Sequence, residues 1–150
     1  MDEQVISNGC PMLRKKTYSI EEVLSLVPEY DGIVKRRKID FDGDEIYIDS
    51  LRYFTFKKDN CTCTSCGLKG SFFAKEKFPN DKRYHLNLYA IDKDGNEVLM
   101  TKDHHIPVAK GGSNHLSNLY TMCAPCNHKK GSTIPEDWVL AGLYLALLFI

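Results

Sequence analysis

Apolar residues recur along this chain in two different rhythms. Ile20, Val23, Leu24 and Val27 return at helical spacing, Ser19 and Glu22 form a capping box in front of them, and Pro28 stops the run, so a helix is expected over 20–27. Its single apolar stripe must pack on something, most simply the strands that follow. The stretch IDFDGDEIYID instead alternates on both sides of Asp42-Gly43, the pattern of a hairpin. Residues 51–56, rich in Tyr and Phe, read as a third strand. Two more strands are expected at 86–90 and 98–101, joined by Asp92-Lys93-Asp94-Gly95-Asn96. That loop lacks the spacing and the twelfth-position acid of a calcium loop, so a hairpin turn is the reading. Residues 1–16 show no periodic apolar pattern and suggest a loosely held start. The apolar run 138–150 is too short to span a bilayer and is expected to be a packed helix.

Composition places these elements in one compact domain with a small appendage. The chain has 150 residues, 43% of them hydrophobic and 27% charged. Its 20 basic and 20 acidic residues cancel, so a nucleic-acid partner would have to be met by a local patch. From Cys61 to Gly131 ten Lys or Arg face six acids. The run Lys35-Arg36-Arg37-Lys38 reads equally as a phosphate-contacting stripe or as a strand edge blunted by charge. The N-terminus has no basic n-region or apolar signal core, so a cytoplasmic protein is expected, in a bacterial host if phage-encoded, with no membrane association.

Six cysteines in such a setting favour metal over disulfides. Cys63 and Cys66, and again Cys123 and Cys126, are separated by two residues, the gap that lets both sulfurs of a knuckle reach one tetrahedral zinc ion. Four thiolates leave no open coordination position, so this zinc is expected to be structural. Cys61 lies two residues before Cys63 and is the weaker choice by spacing, leaving Cys61 and Cys10 as free thiols.

The segment 101–132 reads TKDHHIPVAKGGSNHLSNLYTMCAPCNHKKGS. An Asp-His pair, a proline, Gly111-Gly112, Asn118-Leu119, a Cys-x2-Cys knuckle, an Asn and Lys-Lys-Gly follow in an order that resembles the HNH endonucleases. The resemblance is close over these residues, moderate from about Cys61 onward and absent from the first sixty. It implies an α+β fold: a ββα-metal core stapled by the four-cysteine zinc site, with an α+β N-terminal region and an apolar C-terminal helix. The expected division is 1–58, a region suited to substrate recognition, and 59–150, the zinc-stapled nuclease domain with its terminal helix.

The resemblance also implies roles. His104, three residues before Pro107, stands where the family's DH-x2-P pattern puts its catalytic histidine, and imidazole titrates near neutrality. Asp103 and Asn127 stand where a magnesium or manganese ion would be held, with His128 and His105 as alternative ligands. Asn118 matches the asparagine that pins the loop between the two strands. Lys129 and Lys130 are candidates for phosphate oxygens, and His115 for a loop contact with substrate. His105 departs from the family, which usually has an aliphatic residue there; on an extended strand it would share a face with Asp103 while His104 pointed away.

Together these features point to a metal-dependent endonuclease hydrolysing phosphodiester bonds, with DNA as the expected substrate and a homodimer through the C-terminal helix as a further expectation. RNA as substrate, and a non-catalytic zinc module that binds nucleic acid, are the two alternatives.

Overall fold

The computed structural model describes residues 1–134, and the expected terminal helix at 138–150, with the dimer built on it, lies outside the described residues. The fold is α+β and mostly sheet. Six antiparallel strands pair in the order β1 (Glu3–Ser7), β2 (Cys10–Tyr18), β5 (Gly70–Lys77), β6 (His85–Ile91), β7 (Glu97–His104) and β8 (Leu119–Cys123). A separate hairpin of β3 (Lys38–Phe41) and β4 (Asp44–Tyr47) lies between them in sequence. The helices are α1 (Ile20–Leu24), α2 (Leu51–Lys58) and α3 (Ala124–Lys130). The six-stranded sheet takes strands from both sides of residue 58.

The capping box forms as read. Glu22 N–H donates to Ser19 Oγ at 3.1 Å, and Ser19 N–H donates back to the Glu22 carboxylate. The regular helix ends at Leu24, and turns tied by Leu26 N–H to Val23 O and Val27 N–H to Leu24 O carry the chain on, so Val23 and Val27 are both buried. The Asp42-Gly43 hairpin is also present, with both residues at positive φ as a type I′ turn requires.

Three elements differ from expectation. The N-terminus is not loose: β1 and β2 close over Asn8 and Gly9, whose φ values of 49° and 78° make the same turn type, so the Asn-Gly pair is the signal there. Residues 51–56 are helix rather than strand. Tyr53, Phe54, Thr55 and Phe56 are all buried, because α2 is enclosed on most sides, and such a helix shows no polar face to betray its period. Strand β5 carries no apolar alternation in its second half, since Lys75 and Glu76 are consecutive and each is buried on its own side of the sheet.

Those two charges fix how neighbouring elements join. On the core side, Lys75 Nζ donates to the carbonyls of Phe41 and Asp42 at 3.0 and 2.9 Å and pairs with Asp44 at 2.8 Å, which docks the β3–β4 hairpin. The aromatic core of Tyr18, Phe41, Tyr53, Phe54, Phe56 and Phe73 packs around that junction. On the opposite side, Glu76 receives Arg14 Nε at 2.9 Å, Asn87 Nδ2 at 2.8 Å and the Tyr89 hydroxyl, while Arg14 also reaches Glu97 at 3.0 Å and lies over the Tyr89 ring. Burial disfavours the Arg14 charge, but the Glu97 and Glu76 carboxylates outweigh it and hold the guanidinium protonated. Burial, then the bond to Glu76, pushes the Tyr89 phenol upward.

Replacing Glu76 by Ala removes the buried partner of the Arg14 guanidinium and leaves it only the part-exposed Glu97, and is expected to lower the unfolding free energy by about 3 kcal/mol. A urea titration checks this, and an unchanged midpoint would show that Arg14 finds water or another partner.

Candidate active site and metal centre

Two segments about sixty residues apart in sequence meet at the zinc-knuckle cysteines. The first leaves α2 through Asn60 and Cys61, both at positive φ, and is pinned against the outer edge of β8: Thr64 N–H donates to Thr121 O at 2.9 Å, and Thr121 N–H to Asp59 Oδ2 at 2.7 Å. The second is the β8–α3 junction, where Cys123 ends the strand and caps the helix and Pro125 occupies its first turn. The sulfurs of Cys63, Cys66, Cys123 and Cys126 all lie within 4.8 Å of one another. Cys66 and Cys123 Sγ are 3.8 Å apart, the edge expected of a tetrahedron with metal–sulfur bonds of about 2.3 Å. The four thiols therefore fit a zinc site. Burial opposes ionisation of Cys63, yet the backbone N–H groups of Cys66, Cys123 and Ser65 outweigh it and lower its thiol to about 7. Cys61 stays out of the cluster, packed in the core where burial raises its thiol to about 12, and Cys10 is exposed.

Beyond this cluster, β7, β8 and α3 form a ββα unit. The connection between the strands is held by Asn118, which is 7% exposed. Its Oδ1 accepts from Ile106 N–H at 2.9 Å, and its Nδ2 donates to Ile106 O at 3.0 Å and Ser113 O at 2.8 Å. Gly112 is required at this crossing, because a Cβ would stand 1.7 Å from Ile106 O. The clasp holds both ends of the loop, and β7 ends at His104 with His105 in the bend that follows.

At that strand end, His104 Nε2 is 2.7 Å from Asn114 Oδ1. A carbonyl oxygen only accepts, so this contact puts the proton on Nε2 and leaves the lone pair on Nδ1. Asp103 faces the other way, into a cavity of about 630 Å³ shared with His105, Tyr120, Cys126, Lys129 and Lys130. The His105 ring packs on Tyr120 with centroids 5.1 Å apart. Lys130 Nζ bonds the His104 carbonyl at 2.8 Å and sits 2.9 Å from Asp103 Oδ2. That carboxylate oxygen is buried and, despite the close ammonium, has no hydrogen bond of acceptable geometry. Asn127 Nδ2 donates to Thr101 Oγ1 at 2.8 Å, one residue pair back along β7, which leaves its Oδ1 outside that bond. Carboxylate and amide oxygens such as those of Asp103 and Asn127 are hard donors of the kind a divalent cation takes.

The sequence candidates thus divide. Asp103, His105, Lys129 and Lys130 share one cavity, while His104, His115 and Asn127 are outside its lining. His115 is exposed, and its Nδ1 accepts from Ser117 N–H at 3.2 Å, so it caps a short turn of its own loop. His128 and Lys129 are exposed on the last turn of α3. Asn114 and Thr101, which touch His104 and Asn127, have no signal in spacing alone; each emerges only when the loop closes.

Residues 92–139, about a third of the chain, match the family model described as HNH endonuclease. Over that stretch the chain is similar to the HNH endonucleases, and the stretch contains β7, β8 and α3. No curated protein and no solved structure matches the chain. No helix among the described residues is long and apolar enough to cross a membrane.

Cys126→Ser removes one of four ligands from a site that joins two distant segments, and is expected to lose zinc and folding together, since structural zinc contributes of order 10 kcal/mol in small modules. Metal analysis and a thermal melt on the same sample check it; a stable variant with full zinc would remove Cys126 from the ligand set. Asn118→Ala should cost about 1–3 kcal/mol through the loss of three loop-closing bonds, read as a lower melting temperature with zinc retained.

Proposed function

We propose that the protein is a metal-dependent HNH-type endonuclease that hydrolyses phosphodiester bonds, with DNA as its substrate. The family match supports nuclease chemistry in general, and the observation that carries the finer reading is the arrangement at the end of β7. There, adjacent residues offer an imidazole with its lone pair on Nδ1 and a buried carboxylate oxygen whose close partner is the Lys130 ammonium at 2.9 Å, a place a divalent cation can share or take over.

In this reading His104 is the general base, taking a proton at Nδ1 from the water that attacks phosphorus. Asn114 keeps the proton on Nε2, so the ring meets the water with the correct nitrogen. Asp103 and Asn127 hold a magnesium or manganese ion through oxygen, with His105 and His128 as alternative ligands. When bound, the ion supplies charge stabilisation for the phosphate and the departing 3′ oxygen. Cleavage then leaves a 5′ phosphate and a 3′ hydroxyl. Asn118 acts at one remove by fixing the turn that carries His104. Lys129 and Lys130 both line the Asp103 cavity, which supports a role for them at phosphate oxygens, with His115 as an outer contact on the loop.

His104→Ala is expected to lower cleavage by about 10²–10⁴-fold, the usual worth of a general base, without change in zinc content or melting temperature. Supercoiled plasmid, single-stranded DNA and folded RNA, each with magnesium, manganese or neither, provide the assay. Cleavage of RNA alone would reassign the substrate, and full activity in the variant would remove His104 as base.

A further inference from the structure

A second cavity, of about 620 Å³, opens between the N-terminal elements and β7. Four cations line it, each from a different part of the chain: Arg36 from the loop before β3, Arg52 from the first turn of α2, Arg83 from the β5–β6 connection and Lys102 from β7. Among the described residues none of the four is paired with a carboxylate. Arg52 donates to Asn87 Oδ1 at 2.9 Å and to Leu86 O at 2.8 Å, and Arg83 donates to the Tyr47 hydroxyl at 3.0 Å, so both guanidinium groups are positioned by neutral partners that leave their charge uncompensated. This contrasts with Lys15, Lys38, Lys57 and Lys75 elsewhere in the fold, which all meet acids.

One carboxylate lies in the lining, that of Asp49, and it is 2% exposed. Its oxygens accept from Lys35 N–H at 3.0 Å and Arg37 N–H at 2.8 Å, which bends the basic run and sets Arg36, at a φ of 52°, against the cleft. The acid thus shapes the loop that presents a cation, and the cleft keeps a surplus of positive charge. Keeping four cations around a single carboxylate favours an anionic ligand. Planar guanidinium groups, one of them held over the Tyr47 ring at 5.3 Å, suit the two-pronged bonding of phosphate oxygens.

The position of the cleft selects the ligand further. Lys102 and His104 are two residues apart on β7 and therefore share a face of the sheet. A polymer seated on Lys102 continues naturally toward the strand end where His104 stands. We propose that this cleft binds the phosphate backbone of the polynucleotide flanking the scissile bond, with Arg36, Arg52, Arg83 and Lys102 as its contacts. The proposal rests on the nuclease reading for the direction of that strand, and it gives the region before residue 58 a part in holding substrate.

The test uses the full zinc-loaded chain carrying His104→Ala, without added magnesium, and fluorescein-labelled duplex DNA, single-stranded DNA and hairpin RNA in an anisotropy titration over a range of salt. Adding Arg36→Gln, Arg83→Gln and Lys102→Gln together is expected to weaken binding at least roughly tenfold and to reduce the slope of log Kd against log salt by about one for each cation removed. An unchanged Kd and slope would overturn the cleft while leaving cleavage by the parent chain untouched. Absence of any polynucleotide binding by the starting protein overturns it too, as does displacement by polyglutamate as effective as by unlabelled DNA. Binding that depends on the cleft, with no cleavage by the unmodified chain in magnesium or manganese, would sink the nuclease reading alone. If the triple variant does not fold, acetylation decides: bound DNA must protect Lys102 more than Lys93 in the β6–β7 turn, and equal labelling overturns the proposal.

Discussion

The closeness of four sulfurs is the constraint on which the functional half of the molecule depends. Cys63 and Cys66 leave the end of α2, Cys123 and Cys126 straddle the β8–α3 junction, and nothing in local propensity brings these stretches together. Ionised thiolates at such distances repel one another unless a cation lies between them, so metal and fold are one equilibrium. The same junction aims α3, and α3 carries Asn127 and Lys130 against β7. A zinc ion held by these four sulfurs would act on the candidate site at a distance, by fixing where α3 begins.

A second layer of organisation comes from charges buried within the sheet. Lys75 and Glu76 face opposite ways on a central strand, one clipping a hairpin through its carbonyls and the other gathering Arg14, Asn87 and Tyr89. Buried ions of this kind are poor sources of net stability but strong specifiers, since any other register leaves them unpaired. They bind the N-terminal strands to the strand that precedes the candidate site, and so fix the walls of the basic cleft relative to His104. The electrostatics of the surface depend on this division: lysines that meet acids build the fold, and the arginines left with neutral partners remain available to a ligand.

The functional segment was the most legible part of the sequence. Short-range geometry dictates it: two-residue gaps between cysteines, a proline and paired glycines in a closing loop, an asparagine with both amide atoms in use. The glycine at 112 illustrates the reason, because a backbone oxygen occupies the space of its missing side chain. Legibility was poorest where burial is complete. Helix α2 presents four consecutive buried residues and so has no polar stripe, and β5 buries a Lys and a Glu where apolar residues would announce a strand. Pattern reading assumes that each element keeps one wet face, and both elements violate that assumption.

By itself the sequence determined the turns, the helix cap at Ser19, the composition of the thiol cluster and the HNH-like order of residues from Asp103 to Asn127, because each is set by chemistry within a few positions of the chain. Strand alternation already put His105 on the face of Asp103 with His104 opposite; only the tertiary structure decided which of those faces looks into the cavity, and that Asn118, fourteen residues away, imposes the bend after His104. It also decided that Asn114 meets His104, and that Arg36, Arg52, Arg83 and Lys102 converge on one cleft. Those contacts join residues far apart in sequence, and their geometry exists only once the sheet has brought the segments together.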